Sequence, residues 1–275
     1  MEKNIIMIRP PLLNKASEDA KVSFQDCPHA LNLGILKSFN QKGIGTQIET
    51  DKDHYFIHLS FQEYFAARYV MHPLRKPSSE QAIEFIKYQK YNQRYTLVFT
   101  FMSGLLVNDD LEFSSNIFWD SIMSEPIDLV GIRHIQFVIV CLEAMSIKSS
   151  APCYDELLVR ITEYIQYSFY HENKIIRKHL SQSLERAPLL TCTSKIIHML
   201  SNLVRNDDLK IKSEVLLFIP ELKVSNPRTE LIQSIIDVMQ DTNTDVRIKA
   251  CLALGSMDEK AAISEVNQYL TGCTR

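Results

Sequence analysis

One histidine of this chain stands where its neighbours would give it chemistry to do. Tyr55, Phe56 and Ile57 are aromatic or β-branched and predict, with His58, a short strand over 55–58. Immediately after it, Ser60 and Glu63 read as a capping box, in which the Ser60 hydroxyl takes the amide of residue 63 and the Glu63 carboxylate reaches back to the amide of residue 60. Leu59 and Tyr64 are spaced as the accompanying hydrophobic staple. From Phe61 the apolar residues fall at 61, 64, 65 and 69, one face of a helix, and Ala66 and Ala67 allow close approach of another helix. A helix N-terminus offers free amides and the positive end of its dipole, so an anion is favoured beside His58. The same field favours a neutral imidazole, which still has one N–H for a phosphate oxygen. The plainer reading of His58 is a strand-end histidine bonded to a local carbonyl.

Elsewhere the reactive side chains do not group. His29, His54, His134, His171, His179 and His198 are scattered, and no pair has the i, i+4 spacing with an intervening glutamate that zinc proteases use. His171, Glu172 and His179 read as one solvated helix face, and Ser60 reads as a cap rather than a nucleophile. Asp109, Asp110 and Glu112 read as a helix start; Trp119, Tyr164, Tyr167, Phe169 and Tyr170 read as core and groove packing. The six cysteines (Cys27, Cys141, Cys153, Cys192, Cys251, Cys273) contain no C-x-x-C pair and are expected to be structural thiols in a reducing compartment. No G-x-x-x-x-G-K-[ST] phosphate loop occurs; Gly43 and Gly45 lack the Lys-Ser/Thr that should follow. No catalytic residue, no metal site and no enzymatic activity are therefore expected of this chain.

The run Phe56, His58, Ser60, Phe61, Gln62, Glu63, Tyr64, Phe65, Ala66, Ala67 resembles the winged-helix segment that closes NACHT-type modules, the signalling NTPases of the STAND class. Phe101–Leu106, reading FMSGLL, resembles the aromatic-rich helix that follows the winged helix in the helical domain of those proteins, in the same order and at similar spacing. The resemblance implies that His58 touches the phosphates of bound ADP and helps hold a closed state, in concert with an upstream nucleotide-binding module. It implies ADP or ATP as cofactor of that module and none held by this chain alone. On this reading the chain is a non-catalytic C-terminal part of an intracellular, immune-like receptor or regulator, with a helical array that senses a ligand or restrains the module. The competing reading is a plain α-solenoid scaffold with no nucleotide role.

The whole chain fits such an organisation. Its 275 residues suffice for a large core, the net charge of −3 supplies no bulk basic field, and only 7 residues are glycine, against tight-turn all-β folds. The fold class expected is mainly α: a partial winged helix with a small β-hairpin over 1–72, a helical domain over 73–148, and HEAT-like repeats over 149–275. Within the first part, residues 5–8 read as a strand or helix tail ended by Pro10-Pro11, 30–39 as a helix with Leu31, Ile35 and Phe39 at spacing four, and 44–48 as an edge strand pairing with 55–58. DNA binding is not expected, because 30–39 offers only Lys37, and Lys42 and Lys52 face Glu49, Asp51 and Asp53. Ser78 or Ser79 caps a helix to about residue 89, and further helices are predicted over 113–123 and 128–145, with a break at 149–152. Residues 1–11 lack a signal-peptide core, and the longest apolar stretch, 95–107, is too short to span a bilayer, so a cytoplasmic location with protein partners is expected.

Repetition marks the last third. Val246, Ala250, Ala253 and Leu254 form one apolar face, with Gly255 as its C-terminal cap and Ser256 and Glu259 opening a second helix with Ile263, Val266 and Leu270 inward. Shifting back 37 residues puts Leu209, Ser213, Leu216 and Leu217 on the equivalent face, with Asp208 and Lys212 matching Asp245 and Lys249; a further 33 brings Ile176, Arg177, Leu180 and Leu184 into register, with Ser183 breaking the pattern. Helix pairs at such a period predict an α-solenoid, whose last unit resembles a HEAT repeat in its D-V-R start and A-x-x-A-L-G ending.

Overall fold

The computed structural model describes residues 7–21, 34–39, 52–74, 79–107, 112–128, 131–145, 154–222, 224 and 229–257. The chain divides into two compact units, Met1–Tyr69 and Val70–Arg275.

The first unit combines a small sheet with helices. It runs β1 (Met7–Ile8), α1 (Pro10–Ala20), β2 (Leu36–Phe39), β3 (Asp53–Phe56) and the start of α2 (Leu59–Leu74). The sheet is antiparallel with order β1-β3-β2; Met7 faces Tyr55, Leu36 faces Phe56 and Phe39 faces Asp53. α1 lies between the first two strands in the chain, and the second and third pair antiparallel.

Three expectations change here. Pro10-Pro11 opens a helix rather than ending one: proline at the first turn needs no N–H there, and the Leu12 and Leu13 amides reach the Arg9 carbonyl at 3.0 and 3.1 Å. The helix expected over 30–39 is not formed at 34–39. Gly34 adopts φ +74°, and Leu36 to Phe39 pair with β3, so cross-strand bonding overrides a spacing of four that also suited a helix. The third strand is Asp53–Phe56, two residues earlier than expected, so His58 lies beyond the ladder. The edge strand expected at 44–48 lies outside the described residues.

The second unit is an α-solenoid. After the end of α2 come α3 (Glu80–Gln89), a 3-10 turn (Gln93–Tyr95), α4 (Thr96–Leu106), α5 (Glu112–Met123), α6 (Ile132–Met145), α7 (Tyr154–Tyr170), α8 (Lys174–Leu184), the short α9 (Pro188–Thr191), α10 (Ser194–Val204), α11 (Leu209–Glu221), α12 (Thr229–Val238) and α13 (Thr244–Gly255). α4, α6, α8, α11 and α13 pack successively against one another, as do α3 with α5 and α7 with α10 and α12. Ser79 holds the N-cap position of α3 but makes no side-chain cap bond, and Trp119 is buried on α5, as the sequence predicts, with Phe118 and Ile122. α6 starts at Ile132 rather than 128, because Gly131 at φ +76° sits against the Tyr164 hydroxyl, where a Cβ would come within 2.9 Å.

The repeat has a strict period. Asn173, Asp208 and Asn243, each 35 residues from the next, occupy the N-caps of α8, α11 and α13, and each side-chain oxygen accepts from amides of the first turn. Counted from those caps, Ile176, Ile211 and Val246 are buried, as are Leu180, Val215 and Ala250, and Leu184, Ile219 and Leu254. The preceding helices keep the same count: Ile161, Ile196 and Leu231, then Ile165, Leu200 and Ile235, are all buried. The steps of 37 and 33 are thus corrected to 35 and 35; a shift of 37 puts the exposed Leu209 and Leu217 on the inner face, where a shift of 35 puts the buried Ile211 and Val215. Gly255 is the last helical residue, and Ser256 is the cap. The second helix expected after it lies outside the described residues.

A basic residue follows each cap by four positions, and the first two tie successive repeats together. Arg177 donates to the Ser168 carbonyl and to Glu214 of the next repeat, both at 2.8 Å; Lys212 pairs with Asp241 of the next at 2.7 Å; Arg247 donates to the Asp241 and Thr242 carbonyls at 2.9 and 3.0 Å. Replacing any one of the three caps by alanine is expected to cost about 1 kcal/mol, and the triple variant about 3. Urea denaturation followed by circular dichroism checks this; a triple variant as stable as the parent would remove the caps from the stability of the array.

Candidate functional site

His58 immediately precedes α2, its carbonyl accepting the Phe61 amide at 3.2 Å and its exposed ring lying 6.1 Å from that of Phe61. The imidazole is thus at the positive end of a 16-residue helix and open to solvent. The capping box expected behind it is not made. Ser60 lies inside the helix, Leu59 is 57% exposed rather than stapled, and Glu63 Oε2 is buried without a hydrogen-bond partner. Burial accordingly raises the Glu63 pKa above the usual carboxylate value. Starting the helix at Leu59, one residue sooner than Ser60 could cap it, moves Glu63 out of reach of the role its spacing suggested. His171 lies in the turn between α7 and α8 and His179 within α8, so they do not share one helix face.

The other feature is a groove in the second unit, with a volume of about 770 Å³, running across the α3–α4 connection, α6 and α8. Asn92, Gln93 and Thr96 come from the first, Arg133, Gln136, Phe137 and Val140 from the second, and Gln182, Ser183 and Arg186 from α8 and the turn after it. Lys90 and Tyr91 close one end. Among the described residues, three cations line the groove and no carboxylate does. Sequence reading missed it, because its residues belong to three separated elements. The one local signal was Gln136 next to Phe137 within the apolar run of α6.

Lys90 is 1% exposed. Its ammonium donates to the Ile122 carbonyl at 2.8 Å and to the Ser124 carbonyl, so it satisfies the last turn of α5 at the negative end of that helix. Burial lowers its pKa to about 8, opposed by Glu125 and reinforced by Lys87, which leaves it mostly charged at neutral pH. It is a tether between α3 and α5. Beside it, Tyr91 accepts the Asp128 amide at 3.2 Å and lies 2.9 Å from His134 Nδ1. The tyrosine therefore donates to Nδ1, and the imidazole proton sits on Nε2, 3.4 Å from Met123 Sδ. Burial, with the Lys90 charge, lowers the His134 pKa to about 4.

Among the described residues no three His, Cys, Asp or Glu side chains gather as a metal requires, and no helix is long and apolar enough to cross a membrane. The described fold defines the class: a mainly α chain in which a helical array follows a small antiparallel sheet. No family model matches the chain, and no curated protein or solved structure matches it significantly.

Proposed function

We propose that this chain is a non-catalytic regulatory module of a NACHT-type signalling NTPase, acting in the cytoplasm and binding protein partners through its HEAT-like array. The observation that carries the reading is His58: an exposed imidazole at the N-terminus of α2, directly after the hairpin of a winged helix, inside the run F-x-H-x-S-F-Q-E-Y-F-A-A. There it can give one hydrogen bond to a phosphate oxygen of ADP held by a nucleotide-binding module upstream. The array then acts as the sensing or restraining part, and the nucleotide state of the module as its output. A stand-alone scaffold is the second reading, favoured by the groove, which needs no nucleotide.

In a protein that carries such a module in frame, His58→Ala is expected to speed ADP release about tenfold to a hundredfold, the worth of one hydrogen bond to a charged group, and to favour the open, oligomer-prone form. Stopped-flow release of a fluorescent ADP measures it. An unchanged rate would take His58 out of the site and leave the scaffold reading standing. The chain by itself is expected to bind no ADP in calorimetry.

A further inference from the structure

We infer that the groove over α4, α6 and α8 takes an extended acidic peptide from a partner protein, its carboxylates held by Arg133 and Arg186. This deepens the protein-binding part of the function proposed above.

Charge is the first reason. The chain carries a net −3, yet the groove is lined by Lys90, Arg133 and Arg186 with no acidic residue among its lining. Lys90 is committed to the carbonyls of α5, so the two exposed guanidinium groups are the ones that can face a ligand. Guanidinium forks match carboxylates with two parallel hydrogen bonds. The second reason is shape. The groove crosses three stacked elements, and helices pack 8–10 Å apart, so its course of about 20 Å suits about six residues of extended chain. The third is the wall between the charges. Gln93 and Gln182 offer amide donors and acceptors that suit a peptide backbone, and Gln136, whose amide nitrogen donates to the His179 carbonyl, offers its amide oxygen, beside Phe137 and Val140, which suit an aliphatic side chain. Single-stranded nucleic acid fits less well: Phe137 is 7% exposed and Tyr91 is tied to His134 and Asp128, so neither ring is free as a base-stacking platform.

The test uses the full chain and fluorescence anisotropy with three fluorescein-labelled probes: a decapeptide with glutamate at alternate positions, its glutamine counterpart, and a ten-nucleotide uridine RNA. The glutamate peptide is expected to bind at least tenfold more tightly than the other two and to weaken at least tenfold in the Arg133→Glu/Arg186→Glu variant and again in high salt. Both arginines are exposed, and an unchanged melting curve confirms that the variant is folded. Absence of glutamate-peptide binding, equal binding by the variant, or preference for the RNA would each overturn the inference. Its failure is separable from that of the module reading, which the ADP release rate of the His58→Ala protein decides without involving the groove.

Discussion

Lys90→Ala is expected to destabilise the second unit by about 3–5 kcal/mol, whereas Lys90→Met costs only about 1–2. Alanine removes both the donor to the Ile122 and Ser124 carbonyls and the buried four-carbon stem, so unsatisfied helix-end carbonyls and a cavity add together. Methionine fills the space and also relieves the burden of a buried charge, which the pKa of about 8 reports, so the lost hydrogen bonds are largely offset. Urea denaturation of both variants at pH 7 measures the difference. Equal losses would mean that hydrogen bonding, not packing, dominates the tether; an alanine variant within 1 kcal/mol of the parent would remove the tether altogether.

Acidification is expected to weaken the fold by about 3 kcal/mol through His134. Its folded-state pKa is about 4 against an ordinary 6.5, because the ring is buried beside Lys90 and Arg160, with only Asp128 acting the other way. Between those two values the unfolded chain binds the proton and the folded chain does not. The contribution is therefore complete above pH 6.5 and is lost as pH falls from 6.5 toward 4. Protonation would also put a second donor at Nδ1, against the hydroxyl that Tyr91 now donates. Denaturation midpoints at half-unit pH steps give the slope. In His134→Gln the slope across that window is expected to flatten; an equally steep profile would assign the acid sensitivity to other groups. Asp241, held low by Lys212, contributes below this window, since stability from a depressed carboxylate is lost only as pH falls under its ordinary 3.8.

How much of this was legible beforehand differs by element. The helices of the array were, because buried residues recur at helical spacing and the breaks carry proline or serine, as at Ser79 before α3. The first unit was legible as a small sheet beside helices and misread in its parts. Leu31, Ile35 and Phe39 suit a helix face, and nothing local reveals that β3 needs Leu36 to Phe39 as its ladder partner. Ser60 and Glu63 have the spacing of a capping box, but where a helix starts is set by the preceding strand, and here β3 ends early enough for Leu59 to begin it. Repeat length was blurred because Leu209 and Leu217 are apolar yet exposed; the caps and the buried positions keep 35. The groove was illegible because Gln93, Gln136 and Gln182 become neighbours only when the helices stack.

The strict 35-residue count bears on how the array responds to load. In such a stack each helix pair touches only the pairs beside it, and the crosslinks of Arg177 and Lys212 also reach one step and no further. Neither of these crosslinks braces elements two steps apart. A polypeptide laid across α4, α6 and α8 would be such a brace, a splint that stiffens a compliant spring along its length. Occupancy would then be felt as reduced bending throughout that stretch, with no change of shape at any single helix.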